Sequence, residues 1–318
     1  MKRLCFLVIC MSIIMGCSTS TSSTKALVDY VDPNIGTAHC RWFFYTPAAI
    51  PFGMAKLAPS TDAHLGNPGG WQAVGYDFRH TSIEGFANFH EFQVGGVVFA
   101  PTVGELQTVP GELENPDGGY RSRFDKKDEV AAPGYYSVLL KDYGVKAELT
   151  AMKRVGFHRY TYPKTELANL IFDIGNKQGE SGEVKDAEVQ YFEDGRVEGY
   201  VITSPVYVNI YQKGADVRMY FSAVLNKKPV QVGTFVKDVV NPGKHQEKGP
   251  GAGLYMTFST EEQEAVEVKV GLSYTSIENA RFNRETEAAD VTFDQAKKNA
   301  TDVWNESLSR IYVEGGKE

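Results

Sequence analysis

From Gly134 onward the chain alternates apolar and polar residues, and this period of two constrains the fold more than any other feature. Successive side chains of a β-strand point to opposite faces, so alternation gives each strand one apolar and one polar face. "YYSVLL" (135–140) and "VKAELTA" (145–151) flank a short Lys-Asp-Tyr-Gly turn, which reads as a hairpin. "VGFHRYTY" (155–162), "ANLIFD" (168–173), "VEGYVIT" (197–203), "VYVNIYQ" (206–212) and "VRMYFSAV" (217–224) extend the series. "GLYMTF" (253–258) and "AVEVKVGLSY" (265–274) close it. The residues are β-branched and aromatic, and turns recur at Glu193-Asp194-Gly195 and at Lys213-Gly214-Ala215-Asp216. Short strands without intervening helices predict an all-β chain. There are more strands than an immunoglobulin-sized sandwich needs, so the expectation is a large two-sheet antiparallel β-sandwich over residues 27–290.

The C-terminal end changes period. Phe293, Ala296, Ala300, Val303, Trp304, Leu308 and Ile311 recur at spacings of three, four and seven, which marks one face of a helix. Thr292 and Gln295 form a capping box that starts it. Residues 291–318 are therefore expected to hold a C-terminal amphipathic linker helix. Its apolar stripe must lie against the sandwich or against a following domain.

The N-terminus reads as an export signal. Lys2 and Arg3 precede an apolar run from Leu4 to Met15, too short to span a bilayer comfortably. The run ends in Ile14-Met15-Gly16-Cys17, which resembles the bacterial lipobox. That resemblance implies cleavage after residue 17's predecessor and lipidation of Cys17, with 18–26 as a flexible tether. The alternative is an ordinary signal peptide with an unrelated cysteine. Cys5 and Cys10 would leave with residues 1–17, and Cys40 would remain as a single, inert thiol without an intrachain disulfide. The expected location is exported and lipid-anchored on a bacterial membrane. The formal net charge of -7 argues against nucleic acid, since neutralising phosphates needs a basic face.

Two segments depart from the strand pattern. Arg41–Asp62 crowds aromatics at Trp42 to Tyr45 and follows them with Pro47, Pro51 and Pro59. Proline removes backbone donors, so this segment is expected to cross the ends of the sheets. Residues 69–96 place Trp71, Tyr76, Asp77, His80, Glu84, His90, Glu91 and Gln93 among glycines. Rings mixed with groups able to form paired hydrogen bonds suit a carbohydrate. The two segments are expected to meet at one end of the sandwich, with Phe52 supporting the surface from beneath and Trp71, His90 and Glu91 facing outward.

On these two segments the chain resembles glycoside hydrolase family 92. The resemblance is carried by Pro33, Gly36-Thr37, Pro47, Ala49, Pro51-Phe52-Gly53-Met54, Pro59, Thr61, Gly75-Tyr76, Ile83, Gly85-Phe86 and His90, and extends to the closing "LSRIYVEGG". It implies the N-terminal domain of a bacterial calcium-dependent exo-α-mannosidase that acts with inversion on mannose-containing glycans. Arg41, Trp71, His90, Glu91 and Gln93 are then the expected substrate contacts. The chain departs from the family pattern at Ala38-His39-Cys40-Arg41-Trp42 and at Ala87-Asn88-Phe89-His90-Glu91-Phe92.

Family members continue into an (α/α) toroid that the resemblance credits with the general acid, the base and most of the calcium site. An inverting enzyme needs two carboxyls about 6.5–9.5 Å apart. Asp77, Glu84 and Glu91 read by default as ion-paired or solvated, so no catalytic residue and no metal ligand is assigned to this chain. Calcium is expected for the longer enzyme rather than for this chain alone. The leading expectation is a cleft domain without activity of its own. The alternatives are a stand-alone lipid-anchored carbohydrate-binding module, or a subunit that docks a separately encoded toroid.

Overall fold

The computed structural model describes residues 25–38, 45–61, 75–91, 94–178 and 181–313. Two antiparallel sheets face each other. The first runs, edge to edge, through Ala48–Ala49, Lys56–Ser60, Gly85–Glu91, Val94–Val103, Thr165–Asp173, Ala252–Thr260, Gln231–Val236 and Val239–Pro242. The second runs through Gln246–Lys248, Glu183–Tyr191, Val197–Ser204, Val217–Leu225, Glu264–Ser273, Val155–Tyr162, Val145–Ala151, Tyr135–Leu140 and Val130–Ala132. All four edge strands are short, between two and four residues. The two-sheet sandwich expected from the alternation is present.

Alternate residues of both sheets fill one continuous core. Phe86 lies 5.9 Å from the Tyr160 ring and Phe172 lies 6.5 Å from Phe221, each pair spanning the two sheets. A polar chain crosses this core. Asn88 donates through Nδ2 to the Val97 carbonyl, which turns its Oδ1 towards His158 Nε2 at 2.8 Å. Oδ1 can only accept, so Nε2 carries the proton and Nδ1 faces the Tyr160 hydroxyl at 2.8 Å. Burial pushes His158 down to about 3, so it stays neutral.

Among the described residues three α-helices accompany the sheets: α1 (Val206–Tyr211), α2 (Ile277–Ala288) and α3 (Phe293–Leu308). Residues 206–212, expected as a strand, contain α1. Pro205 stands at its N-cap, and the Tyr207 and Tyr211 rings meet edge to face one turn apart, a helical neighbour relation that alternation cannot exclude. α2 falls within residues 27–290, assigned to the sandwich, just beyond the last expected strand at 265–274. It lies on the outer face of the second sheet, where Arg281 grips the buried Glu198 carboxylate at 2.7 and 2.6 Å. Gly271 makes this possible, because a Cβ there would stand 2.1 Å from the Ala280 carbonyl oxygen.

α3 begins at the expected capping box, with Thr292 and Gln295 each bonding the other's backbone. It too packs on the second sheet: Phe293 and Ala296 join Tyr135, Val155 and Phe157 in a second apolar cluster. Trp304 donates from Nε1 to the Ala49 carbonyl at 2.7 Å, and Asn305 receives the Val28 N–H at 3.1 Å. Trp304 and Leu308 are half-buried.

The proline-rich segment is more regular than expected. Lys56–Ser60 is a strand, and Pro59 pairs with Phe86 of the neighbouring strand. Its other neighbour, Ala48–Ala49, reaches only Lys56 and Leu57, so the missing Pro59 donor interrupts no ladder on that side. The second segment likewise contains the strand Gly85–Glu91, which is buried along most of its length.

Candidate functional site

Lys56–Ser60 and Gly85–Glu91 run antiparallel, so Ser60 opposes Gly85 while Lys56 opposes Phe89. This register sorts the expected site residues onto two ends of one strand pair. At about 3.3 Å per residue, Gly85 and His90 are separated by roughly 17 Å.

Thr61, Gly75, Tyr76, Asp77, His80 and Glu84 gather at the Gly85 end. The Thr61 hydroxyl lies 3.1 Å from the Gly75 carbonyl and 2.9 Å from His80 Nδ1, and it accepts the Asp77 N–H at 3.1 Å. Beneath them Arg121 is fully buried. It donates to the Thr61 carbonyl at 2.9 Å, to Ser82 at 2.8 Å and to Glu84 at 3.1 Å. Burial raises the Asp77 carboxyl, but bonds from the Arg79 side chain and backbone outweigh it and bring Asp77 to about 2.

Beside this group stands an aromatic stack. The Tyr45 and Tyr76 rings are 3.9 Å apart and nearly parallel. Tyr76 and Tyr136 both donate to Glu129, at 2.8 and 2.7 Å. Lys126 bonds Glu129 at 2.9 Å and the Tyr76 hydroxyl at 2.8 Å, with its ammonium within 5 Å of the Tyr76, Phe78 and Phe124 rings. Burial, then the neighbouring Tyr45 and Glu129, push the Tyr76 hydroxyl far up, so it remains a neutral donor. Of this cluster Tyr45 and Tyr76 stand out in the sequence, each in one of the two unusual segments. Lys126 and Glu129 sit in a short connection with no periodicity; their three-residue spacing is the sole signal.

His90 and Glu91 occupy the opposite end. His90 follows Phe86 and Asn88 on the interior-facing side of its strand and is fully buried, so the outward orientation expected for it is corrected. Glu91 is half-buried and ion-paired with Lys56. Arg41, Trp71, Gln93, Cys17 and Cys40 lie outside the described residues. The two segments thus meet through Thr61, Gly75 and Tyr76, but the same segments also reach the far end through Phe52 and Glu91.

Phe52 overturns a further expectation. It was to support a surface from beneath, yet it is 96% exposed. It sits in a turn closed by the Gly53 N–H on the Ile50 carbonyl at 3.0 Å, with φ of 59°.

Asp77, Glu84 and Glu91 are each held by a cation, Arg79, Arg121 and Lys56 respectively. An acid that must hold a proton near neutral pH is not served by such pairing. Among the described residues no group of three or more His, Cys, Asp or Glu side chains could hold a metal ion. The tyrosine hydroxyls of this cluster are buried and already donate to Glu129 and Asn34, and of its rings only Phe78 is exposed.

The family model for the glycosyl hydrolase family 92 N-terminal domain matches residues 30–273. Among solved structures, the chain is similar to a family GH92 α-mannosidase from Bacteroides thetaiotaomicron, with a TM-score of 0.82 and 28% identity over 92% of this chain and 39% of that one. The same relative in complex with mannoimidazole gives a TM-score of 0.80 and 29% identity, over 90% of this chain and 37% of that one. A family GH92 inverting mannosidase from the same organism shares the fold at a TM-score of 0.73 and 21% identity, over 93% of this chain and 38% of that one. No curated protein matches the chain. The chain spans about two fifths of the length of the solved relatives it matches.

Proposed function

Because this chain belongs to glycosyl hydrolase family 92, we propose that it forms one wall of the substrate cleft of an α-mannosidase acting on α-linked mannose of glycans. The single observation that carries this reading is the likeness over 92% of the chain to an α-mannosidase that also takes mannoimidazole. On this reading the general acid and base are supplied by the rest of the enzyme, while Asp77, Glu84 and Glu91 are committed to ion pairs. Binding without those groups stabilises ground state and transition state alike, so it does not accelerate hydrolysis.

The test is isothermal titration of this chain with α-mannobiosides and mannoimidazole, beside an assay of released mannose. Weak binding, on the order of millimolar, and no release are expected, since few contacts offset the ordering cost. Turnover by the chain alone, or binding only to other sugars, overturns the reading.

We also propose that the protein is exported and held on a membrane by lipid at Cys17, on the strength of the Leu4–Met15 run and the Gly16-Cys17 junction. Cys17→Ala is expected to release the protein from the membrane fraction or leave it unprocessed. Unchanged fractionation and mass would count against the anchor.

A further inference from the structure

We propose that the Phe52 turn is a docking knob for the domain that follows this one in the longer enzymes of the family; the inference rests on the cleft-wall reading above. Ile50, Pro51, Phe52 and Gly53 form a turn of the kind that places a positive φ at its third residue, a position that favours glycine. Here a phenylalanine holds that position, at φ 59°, with 96% of its surface in solvent. The turn itself gains nothing from the ring, and neither does the core. A large side chain that is both strained and exposed points to a contact made outside the fold.

The place of the turn indicates the occupant. Trp304 ties the last turns of α3 to Ala49, three residues before Phe52, and Asn305 ties them to Val28. Around that junction Leu27, Tyr30, Ile311, Tyr312 and Val313 are exposed as well. The match to the relative covers 39% of its chain, and the matched family unit is an N-terminal one, so about three fifths of such an enzyme follows it. The last turns of α3 are thus held at the short strand Ala48–Ala49 that leads into the Phe52 turn. The following domain is therefore the body best placed to receive the ring, and fixing Phe52 outside a pocket in advance lowers the ordering cost of docking.

The experiment places residues 25–313 in the full-length Bacteroides thetaiotaomicron GH92 α-mannosidase in place of its matching region, with Phe52→Ala and Phe52→Gly beside the parent. Kinetics, thermal unfolding and sedimentation of the 318-residue chain alone are measured. The expected result is an active parent that unfolds in one transition, and variants whose kcat/KM falls about ten- to hundredfold as unfolding splits into two transitions. In the isolated chain Phe52→Gly should raise the unfolding midpoint, which separates docking from folding. An active parent with unaffected variants overturns the docking inference and leaves the function intact. A folded parent that hydrolyses no mannoside overturns the function, and the inference with it. Self-association of the chain that is lost on Phe52→Ala overturns the inference in favour of a second copy.

Discussion

Single residues decide the polar interior, and His158 is the clearest case. It is neutral in the folded chain, pushed by burial to about 3, whereas an exposed histidine titrates near 6.5. The unfolded chain therefore takes up a proton that the native one refuses. Its contribution is unpenalised above the unfolded value and is lost as pH falls from 6.5 towards about 3, at up to roughly 1.4 kcal/mol per pH unit. His158→Gln should flatten the slope of stability against pH by about one proton in that window. Urea titrations between pH 7 and pH 4 would show it, and equal slopes for both proteins would refute the assignment. The alternation in "VGFHRYTY" placed His158 and Tyr160 on one face of a strand, but nothing in it named Asn88, 70 positions away, as the third member. His90 shows the limit from the other side: a histidine among glycines and rings reads as a surface contact, and only the register with Gly95 and the parity with Phe86 turn it inward.

At the scale of elements, α3 depends on one close approach. Gly134 has φ of 87°, and a Cβ there would stand 2.7 Å from the Ala300 Cβ. Gly195 has a similar φ of 90° with open space around it. Gly195→Ala should therefore cost only the backbone strain, about 1–2 kcal/mol. Gly134→Ala adds overpacking of about 1–3 kcal/mol and should loosen α3. Denaturant midpoints and the exposure of Trp304 to a quencher would distinguish the two; equal losses would mean that α3 is not seated through Gly134. The helix itself was legible because its cap and its apolar spacing agree. α2 was not, because its buried face consists of Ala280, Asn283, Arg284 and Ala288 rather than large apolar side chains. Its anchor is the Arg281–Glu198 pair, a contact between distant segments that periodicity does not register. Glu183–Tyr191 escaped for a different reason: a register shift between Val184 and Asp186 interrupts its alternation.

For the whole molecule, the sandwich was readable because both sheets carry long alternating strands, while the arrangement of the site was not, because it depends on which strand ends lie together. Calcium is expected to belong to the longer enzyme rather than to this chain alone. Chelation by EDTA, or addition of calcium, should leave the melting temperature of this chain unchanged within about 1 °C, since a ligand stabilises only the state that binds it. A calcium-dependent rise of several degrees would place a site in the remaining residues. The brevity of the four edge strands has a consequence of another kind. An exposed sheet rim is a template on which further chains can add by backbone pairing. Here each rim offers two to four residues before the ladder stops, and Pro242 and Lys248 stand at the ends of two of them. A protein built from so much sheet is in this way left with little on which a fibril could start.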